Sequence, residues 1–277
     1  MSRVTAADEA VVPATPGDGD ETPRRPPLRW WKEITAATVF YAVYGVIRNL
    51  QGSAAVSDNL AMRNARRLID LEELMGLYHE RSIQQAFLGA EELMSIWNLF
   101  YGTFHFIVTV GVLVFLFRRF PIRYRQWRTC LAATTALALI GFIFYPLMPP
   151  RLMPASYGFV DSLEVYGSLW SFESGAVEKV SNQFAAMPSL HFAWSLWCAC
   201  ALVPVLRRNW TKALAVLYPV LTLLAIVITG NHFVLDAVGG AIVLGAGVAF
   251  AAVAPDAWAR ARRRDASPSV RTDLMTP

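Results

Sequence analysis

The chain has 277 residues, of which 55% are hydrophobic, and its mean hydropathy is positive at +0.37. This composition excludes an ordinary soluble domain of that length and is typical of a polytopic membrane protein. The formal net charge of +4 at pH 7 does not indicate nucleic acid as a partner, because the basic residues fall between apolar runs, where the positive-inside rule places them.

Three predicted elements precede the main membrane region. Residues 1–28 are rich in Pro, Gly, Asp, Glu and Thr, so we expect a disordered cytoplasmic tail. In the segment 29–92, an apolar run over about 34–51 predicts a first membrane helix. Apolar and charged residues then alternate over 57–92, which predicts an amphipathic helix that is interfacial or covers the bundle and whose charges form a solvated face.

Five further apolar runs are each long enough, at 1.5 Å per residue, to cross a hydrocarbon layer roughly 30 Å thick. They lie at about 93–117, 129–149, 188–206, 213–230 and 232–254. Together with the first helix they predict an all-α polytopic membrane bundle of about six transmembrane helices. Residues 93–254 form the membrane core of this bundle, and residues 255–277 are predicted to be a basic cytoplasmic tail.

Basic residues between the spans orient the predicted bundle. With six spans, four basic segments fall on one side, which the positive-inside rule makes cytoplasmic together with both termini. These segments are the end of the N-terminal tail, the loops 118–128 and 207–212, and the region after the last span. The segment 52–92, the loop 150–187 and the short turn 230–232 then face the extracytoplasmic side.

Topology brings four polar residues to the extracytoplasmic end of the bundle. Arg151 follows the third span, His191 begins the fourth, and His232 begins the sixth. Asp236 lies four residues after His232, and positions four apart share one face of a helix, so its carboxylate can reach the imidazole. A carboxylate in an apolar helix is costly without a partner, which favours this pairing.

Two histidines, one of them beside a carboxylate, together with an arginine suit phosphoryl transfer. A neutral imidazole can attack phosphorus while the carboxylate holds its tautomer and stabilises the developing imidazolium. A second, protonated imidazole can give its proton to the departing alkoxide, and arginine offers planar donors to phosphate oxygens. We also expect backbone N–H groups to bind anions where the fourth and sixth spans begin.

Three other interpretations of these residues stay open. The His–Asp pair is also typical of a satisfied polar contact between membrane helices. Two histidines and an aspartate can ligate zinc, although no further His or Cys is placed to complete the shell. Ionisable groups within a membrane also mark proton pathways, although these cluster at one face. His105, within the second span, is interpreted first as a helix-packing hydrogen bond and second as a site residue.

Two stretches resemble signature motifs of the phosphatidic acid phosphatase type 2 superfamily. Residues 188–191, with the sequence Pro-Ser-Leu-His, resemble its second motif, in which the third position is more often Gly. His232 with Asp236 matches the His-x-x-x-Asp end of its third motif. Both stretches look most like the branch that includes the inositol phosphorylceramide synthases, and the resemblance covers roughly 93–254.

The resemblance implies a catalytic membrane core that requires no metal and no other cofactor. In that core His232 would be the nucleophile that forms a phosphohistidine, Asp236 would orient and polarise it, and His191 would protonate the leaving group. The implied enzyme is a lipid phosphate phosphatase or an inositolphosphotransferase. Its substrate would be a membrane lipid, and its acceptor water, inositol or another alcohol. We expect it in the plasma membrane, with an extracytoplasmic active site.

Two cations of the family pattern are missing. The third motif usually has Arg six positions before its His, where this chain has Ile226. The first motif usually has Lys seven positions before an Arg-Pro pair. Arg151 matches that Arg, but Leu152 follows it and Phe144 stands at the Lys position. The candidates for binding the substrate phosphate are Arg151, Asn231 and Thr229.

Turn geometry is an equally good explanation for Asn231 and Thr229.

Two alternatives to a metal-independent lipid enzyme follow from the missing cations and from the His/Asp set. One is a non-catalytic membrane protein that binds lipid phosphate. The other is a His/Asp metal-dependent membrane hydrolase.

Overall fold

Helices account for the regular structure in the part of the chain that the computed structural model describes, which is residues 28–50, 57–167 and 183–265. In chain order the helices are α1 (Trp30–Leu50), α2 (Asp58–Leu74), α3 (Glu80–Phe87), α4 (Glu91–Arg119), α5 (Pro121–Phe144), α6 (Ser162–Val165), α7 (Leu190–Leu202), α8 (Asn209–Ile228) and α9 (Val234–Asp265). Two 3₁₀ turns, Pro150–Leu152 and Ala155–Tyr157, lie between α5 and α6. The predicted all-α class is confirmed. The predicted N-terminal tail lies outside the described residues, apart from its last residue.

Four described helices are long and apolar enough to cross a membrane, namely α4, α5, α8 and the part of α9 up to Ala254. The predicted count of six spans is not confirmed. The run 188–206 forms α7, whose 13 residues reach about 20 Å at 1.5 Å per residue. The run 34–51 forms most of α1, in which charged residues near both ends lower the hydropathy.

Apolar side chains cover the outside of these helices. Ile107 on α4 is 66% exposed, and Ile242 on α9 is 67% exposed. Phe144, at the end of α5, is 81% exposed. Contact with lipid chains accounts for such a surface, since a protein surrounded by water rarely exposes contiguous apolar side chains.

The predicted loop 118–128 is wrong, because nearly all of it is helical. Only Phe120 separates α4 from α5, which begins at Pro121. Proline suits the first helical position because its φ is preset and the N–H that it lacks has no intrahelical partner there. Similarly, α9 continues to Asp265, so the predicted tail 255–277 begins as a helix.

The prediction of one amphipathic helix over 57–92 is wrong, because Gly76 separates α2 from α3. Gly76 has a φ of +68°, a left-handed conformation that favours glycine, and it follows the end of α2. The backbone N–H of Leu77 then donates to the carbonyl oxygen of Glu72 at 2.7 Å, which closes the helix end. Helices α2 and α3 together, residues 58–87, are called the cap below.

Helix α9 lies along α5 at close range. A Cβ at Gly247 would come within 2.2 Å of Thr134 Oγ1, so the absence of a side chain permits this approach. Helix α7 packs between α4, α8 and α9. Trp197 on α7 is fully buried and donates its indole N–H to the carbonyl oxygen of Trp127 at 3.0 Å. These contacts hold the start of α7 beside the start of α9.

The cap covers the end of the bundle at which α9 begins. A buried apolar cluster joins the two, and its members include Leu68 and Ile69 of α2, Leu147 and Phe159 between α5 and α6, and Phe233 before α9. At the opposite end, the guanidinium of Arg128 on α5 binds the carboxylate of Glu33 on α1. Both sequence motifs therefore lie at the end of the bundle that the cap covers.

Candidate active site

A sharp turn between α8 and α9 carries His232. Gly230 in this turn has a φ of +68°, and a Cβ there would come within 2.6 Å of Gln84 Nε2. The carbonyl oxygen of Ile226 accepts the backbone N–H groups of both Asn231 (3.0 Å) and His232 (3.1 Å). These bonds hold His232 two residues before the first residue of α9.

Two candidates for phosphate binding, Thr229 and Asn231, are buried in the same turn. Thr229 Oγ1 donates to the carbonyl oxygen of Ala225 at 2.7 Å, and Asn231 Nδ2 donates to Thr229 Oγ1 at 2.9 Å. Both side chains therefore stabilise the turn itself, as their residue types also allow. Their binding of phosphate stays a prediction.

His232 and Asp236 form a buried pair, 4% and 0% exposed. His232 Nδ1 lies 3.2 Å from Asp236 Oδ2, and the same oxygen accepts the backbone N–H of Phe233 at 3.0 Å. An ionised carboxylate only accepts hydrogen bonds, so Nδ1 carries the proton and Nε2 keeps its lone pair. This arrangement gives His232 a nucleophilic nitrogen in a defined tautomer.

The second motif is hydrogen-bonded to the helix that carries Asp236. The backbone N–H of Ser189 donates to the carbonyl oxygen of Asp236 at 2.9 Å, and its hydroxyl oxygen caps the start of α7. A Cβ at Gly240 would lie 2.5 Å from the Ser189 carbonyl oxygen, so this close approach requires glycine. The ring centroids of His191 and His232 are 5.7 Å apart.

Helix α4 brings two further rings against His191. The Tyr101 ring stacks on it with a centroid distance of 4.2 Å, and the His105 ring lies 4.2 Å away at a steeper angle. His105 Nδ1 lies 3.0 Å from the Tyr101 carbonyl oxygen. Since a carbonyl only accepts, Nδ1 donates and Nε2 keeps its lone pair. Tyr101 was not predicted, although a spacing of four residues places it on the same helix face as His105.

Arg151 is attached to the turn through its backbone. Its N–H donates to the carbonyl oxygen of Gly230 at 2.7 Å. Its guanidinium pairs with the carboxylate of Asp161, and the two side chains are 14% and 17% exposed. The other oxygen of Asp161 accepts N–H groups at the start of α6. The predicted phosphate ligand therefore lies beside the turn that carries His232, with its charge shared by an acid.

Two acids of the cap reach the first turn of α9. Glu72 and Glu80 are fully buried, so the predicted solvated face is wrong for both. Glu80 Oε1 accepts the backbone N–H of Val234 at 2.9 Å, and Glu72 Oε1 accepts that of Leu235 at 2.7 Å. Because protein carboxylates occupy these N–H groups, the expected backbone anion site at the start of the sixth predicted span is wrong.

Gln84 makes a third buried polar contact from the cap. Its side-chain amide donates to the carbonyl oxygen of Val160 and accepts the backbone N–H of the same residue, each at 2.9 Å. These contacts were not predicted. Glu72 lies four residues after the apolar Leu68 and so shares a helix face with a core residue, which was the available sign of its burial. For Glu80, the residue four positions later is the polar Gln84, which gives no such sign.

The two positions at which the chain departs from the family pattern supply no cation. Ile226 is fully buried, and Phe144 is exposed at the end of α5. Across the described ranges, no group of three or more His, Cys, Asp and Glu side chains has the arrangement of a metal site.

The family model of the PAP2 superfamily matches residues 66–250. The matched region extends from α2 into α9 and includes Arg151, both histidine motifs and the two buried acids of the cap. It begins before the predicted core 93–254, so most of the cap lies within the family region. The match does not distinguish an inositol phosphorylceramide synthase-like branch. No curated protein and no solved structure matches the chain.

Proposed function

The chain belongs to the PAP2 superfamily, which supports a phosphatase-type membrane enzyme, and we propose that it acts on a lipid phosphoester through a phosphohistidine. The proposed acceptor is water or, in an inositol phosphorylceramide synthase-like reaction, an alcohol that receives the head-group phosphate. One observation carries the proposal, which is the arrangement of the two histidines. The buried Asp236 leaves the His232 Nε2 lone pair available, and the ring centroids of His191 and His232 are 5.7 Å apart.

In the first proposed step, His232 Nε2 attacks phosphorus, and the bond between phosphorus and the lipid oxygen breaks. The electron pair leaves with that oxygen, which takes a proton from protonated His191. The new nitrogen–phosphorus bond makes the His232 ring an imidazolium. Its Nδ1–H then donates a charge-assisted hydrogen bond to the Asp236 carboxylate, which stabilises the intermediate.

In the second step, the now neutral His191 takes a proton from water or an alcohol, whose oxygen attacks phosphorus. The nitrogen–phosphorus bond breaks, His232 regains its lone pair, and His191 is protonated for the next turnover. The product is inorganic phosphate when a phosphomonoester reacts with water. It is a new phosphodiester when a head-group phosphate passes to an alcohol. The two activities share both steps and differ only in the acceptor.

We assign phosphate binding first to Arg151. Its backbone bond to Gly230 keeps it beside His232. The Asp161 carboxylate pairs with one terminal nitrogen of the Arg151 guanidinium. Arg151 Nε is buried and has no hydrogen-bond partner among the described residues. An arginine with an unused donor, attached through its backbone to the turn that carries the nucleophile, suits a phosphate oxygen. Asn231 and Thr229 are the further proposed ligands.

We propose that the site faces the extracytoplasmic side of the plasma membrane. Helix α4 passes from the site end to Arg118 and Arg119, and α7 passes from the site end towards Arg207 and Arg208. The positive-inside rule favours a cytoplasmic position for such arginines, which supports the opposite position for the histidines.

The test is an assay of the purified full-length protein in detergent with excess EDTA. Lipid phosphates and phosphatidylinositol are supplied with and without ceramide or another alcohol, and free phosphate and new phospholipid are followed together. Wild type is compared with His232→Ala and with His79→Ala, which changes an exposed histidine of the cap connection. Product from wild type and His79→Ala, but not from His232→Ala, supports the proposal. Equal turnover by His232→Ala overturns it.

A second function, the binding of lipid phosphate without turnover, is favoured by the buried Ile226 at a position where the family pattern has arginine. Vesicles containing lipid phosphate distinguish it from catalysis. Binding that is unchanged in His191→Ala, without product from any substrate, would support it. Activity that appears only when zinc replaces EDTA would indicate the metal-dependent hydrolase instead.

A further inference from the structure

Two buried carboxyl groups of the cap contact the first turn of α9, and neither takes part in the proposed reaction steps. Glu80 Oε1 and Glu72 Oε1 accept the backbone N–H groups of Val234 and Leu235, which are consecutive residues. The two acids come from different helices, α3 and α2. The cap is therefore attached by two adjacent hydrogen bonds to the helix turn that follows His232.

The second oxygen of each carboxyl group indicates how the pair is protonated. Glu72 Oε2 and Glu80 Oε2 are both buried, and neither has a hydrogen-bond partner among the described residues. Two ionised carboxylates in a buried site repel each other, and neither can donate to the other. The two side chains lie within hydrogen-bonding reach of each other, so one proton held between the two carboxyl groups gives them a mutual hydrogen bond and leaves a single negative charge on the pair.

Other titratable groups face this pair from the neighbouring elements. They are Tyr78 in the turn between α2 and α3, and Asp236 with its partner His232 at the start of α9. Burial, followed by the charges of Glu80 and Asp236, raises the pKa of Glu72 to about 8. Glu72 therefore holds the shared proton at neutral pH and loses it as the pH rises through that value.

We propose that Glu72 and Glu80 form a one-proton carboxyl pair that positions His232 by holding the first turn of α9. This inference rests on the proposed function, in which His232 is the nucleophile. Both acids are positioning residues, because their contacts are with the helix and not with the reacting atoms.

The pair has a second consequence for where phosphate binds. A helix N-terminus ordinarily attracts phosphate through its free N–H groups. Here the N–H groups of Val234 and Leu235 are already bonded to the two acids. The substrate phosphate is therefore left to the side chains of the site, of which Arg151 is the first candidate.

Glutamine reproduces a protonated glutamate in shape, because its oxygen accepts and its NH₂ group donates, but it cannot ionise. Glu72→Gln therefore keeps the bond to Leu235 and a hydrogen between the two side chains, with the single charge on Glu80. Glu72→Ala removes both and leaves the Leu235 N–H buried without an acceptor. The matched control is Glu73→Gln, which changes the exposed neighbouring acid.

At pH 7 we expect Glu72→Gln, Glu80→Gln and Glu73→Gln to keep turnover within about threefold of wild type. Glu72→Ala should lose at least about tenfold. The ratio of Glu72→Gln turnover to wild-type turnover should rise at least about threefold between pH 7 and pH 9. Only wild type loses the shared proton over this range, and the repulsion between its two carboxylates then weakens their hold on the first turn of α9. A merely structural acid would not produce this change. A flat ratio, or inactivity of both Gln variants at pH 7, overturns the proposal even if the Ala variant fails to fold.

Hydrogen exchange of the peptide that contains Val234 and Leu235 gives a readout that does not require turnover. At pH 7 these amides should be protected in wild type and in Glu72→Gln, and should exchange at least about tenfold faster in Glu72→Ala. If no protein shows turnover but this difference is present, the proposed function fails and the attachment of the cap is supported. If Glu72→Ala keeps both turnover and protection, the carboxyl pair is overturned and the proposed function is supported.

Discussion

The backbone N–H of Ser189 donates a hydrogen bond to the carbonyl oxygen of Asp236 at 2.9 Å. This bond joins the two histidine motifs, because Ser189 lies two residues before His191 and Asp236 is the partner of His232. The distance of 5.7 Å between the two histidine rings therefore depends on a backbone contact between α7 and α9, in addition to the lengths of the helices between them.

Gly240→Ala should separate the two motifs. The added Cβ would lie 2.5 Å from the Ser189 carbonyl oxygen. This oxygen belongs to the backbone, so it cannot move aside as the end of a flexible side chain could. We expect turnover to fall at least about tenfold, together with a lower melting temperature. Gly245→Ala is the matched control on the same helix, since its added Cβ would meet no atom within 4 Å beyond its chain neighbours and the adjacent backbone of α9, and it should stabilise α9 by about 0.5–1 kcal/mol. Equal behaviour of the two variants would contradict this account of the contact.

Asp236→Asn should lower kcat by roughly 10²–10⁴-fold with a smaller change in KM. Asparagine can place its amide oxygen where Oδ2 accepts from His232 Nδ1 and the Phe233 N–H, but it lacks the negative charge that stabilises the imidazolium of the phosphohistidine. Steady-state kinetics on a lipid phosphate, with acid quench to trap phosphohistidine, measure both effects. Asp70→Asn, at an exposed acid of α2, is the control. Phosphohistidine at the wild-type level in Asp236→Asn would exclude the proposed role.

The loss of rate in His191→Ala should depend on the leaving group of the substrate. A lipid alkoxide needs a proton as it departs, whereas p-nitrophenolate does not, so the first turnover should slow by roughly 10²–10⁴-fold on a lipid phosphate and by less than about tenfold on p-nitrophenyl phosphate. His232→Ala should lose both reactions equally, because both require the bond to phosphorus. Rapid-quench measurement of the first turnover makes the comparison. An equal loss on both substrates in His191→Ala would exclude its role as the acid.

Asp161→Asn should strengthen the binding of phosphate. Asparagine keeps an oxygen that can cap α6, but it removes the charge that pairs with Arg151. Inorganic phosphate should then inhibit roughly three- to tenfold more strongly, whereas Arg151→Ala should weaken inhibition and Arg151→Lys should restore it only in part. Arg123→Ala, at an exposed arginine of the opposite end, should leave inhibition unchanged. Weaker inhibition in Asp161→Asn would contradict the assignment of Arg151.

Features that depend on short stretches of chain are predictable from the sequence. The contact between His232 and Asp236 is one, because only four residues separate them, although His232 lies in the turn before α9 and the two do not share a helix face as the sequence predicted. The all-α class is another, since long apolar runs have few alternatives to membrane helices. The position of His191 and His232 at the same end of the bundle follows from counting the helices between them, whereas the 5.7 Å between their ring centroids also depends on the contact between Ser189 and Asp236.

Features that depend on distant partners are not predictable in this way. Glu72 meets the backbone of Leu235, 163 residues away in the chain, and the alternating charges of α2 carry no sign of that partner. The extent of α5 is obscured by arginines that follow Pro121, because helices tolerate arginine near a membrane surface but hydropathy treats it as a loop. The end of α7 at Leu202 is hidden inside an apolar run, since composition does not show where helical hydrogen bonds stop.

The bonds between the cap and α9 also bear on how related proteins can be recombined. A fragment trimmed to the apolar region 93–254 would retain every residue of both histidine motifs. It would lose the acceptors of the Val234 and Leu235 amides, and the Gln84 amide that lies against Gly230. A chimera that joins the N-terminal part of one relative to the bundle of another would therefore have to match carboxylates with amides across the junction. The cap and the bundle therefore have to be kept together in any exchange, although hydropathy divides them at residue 92.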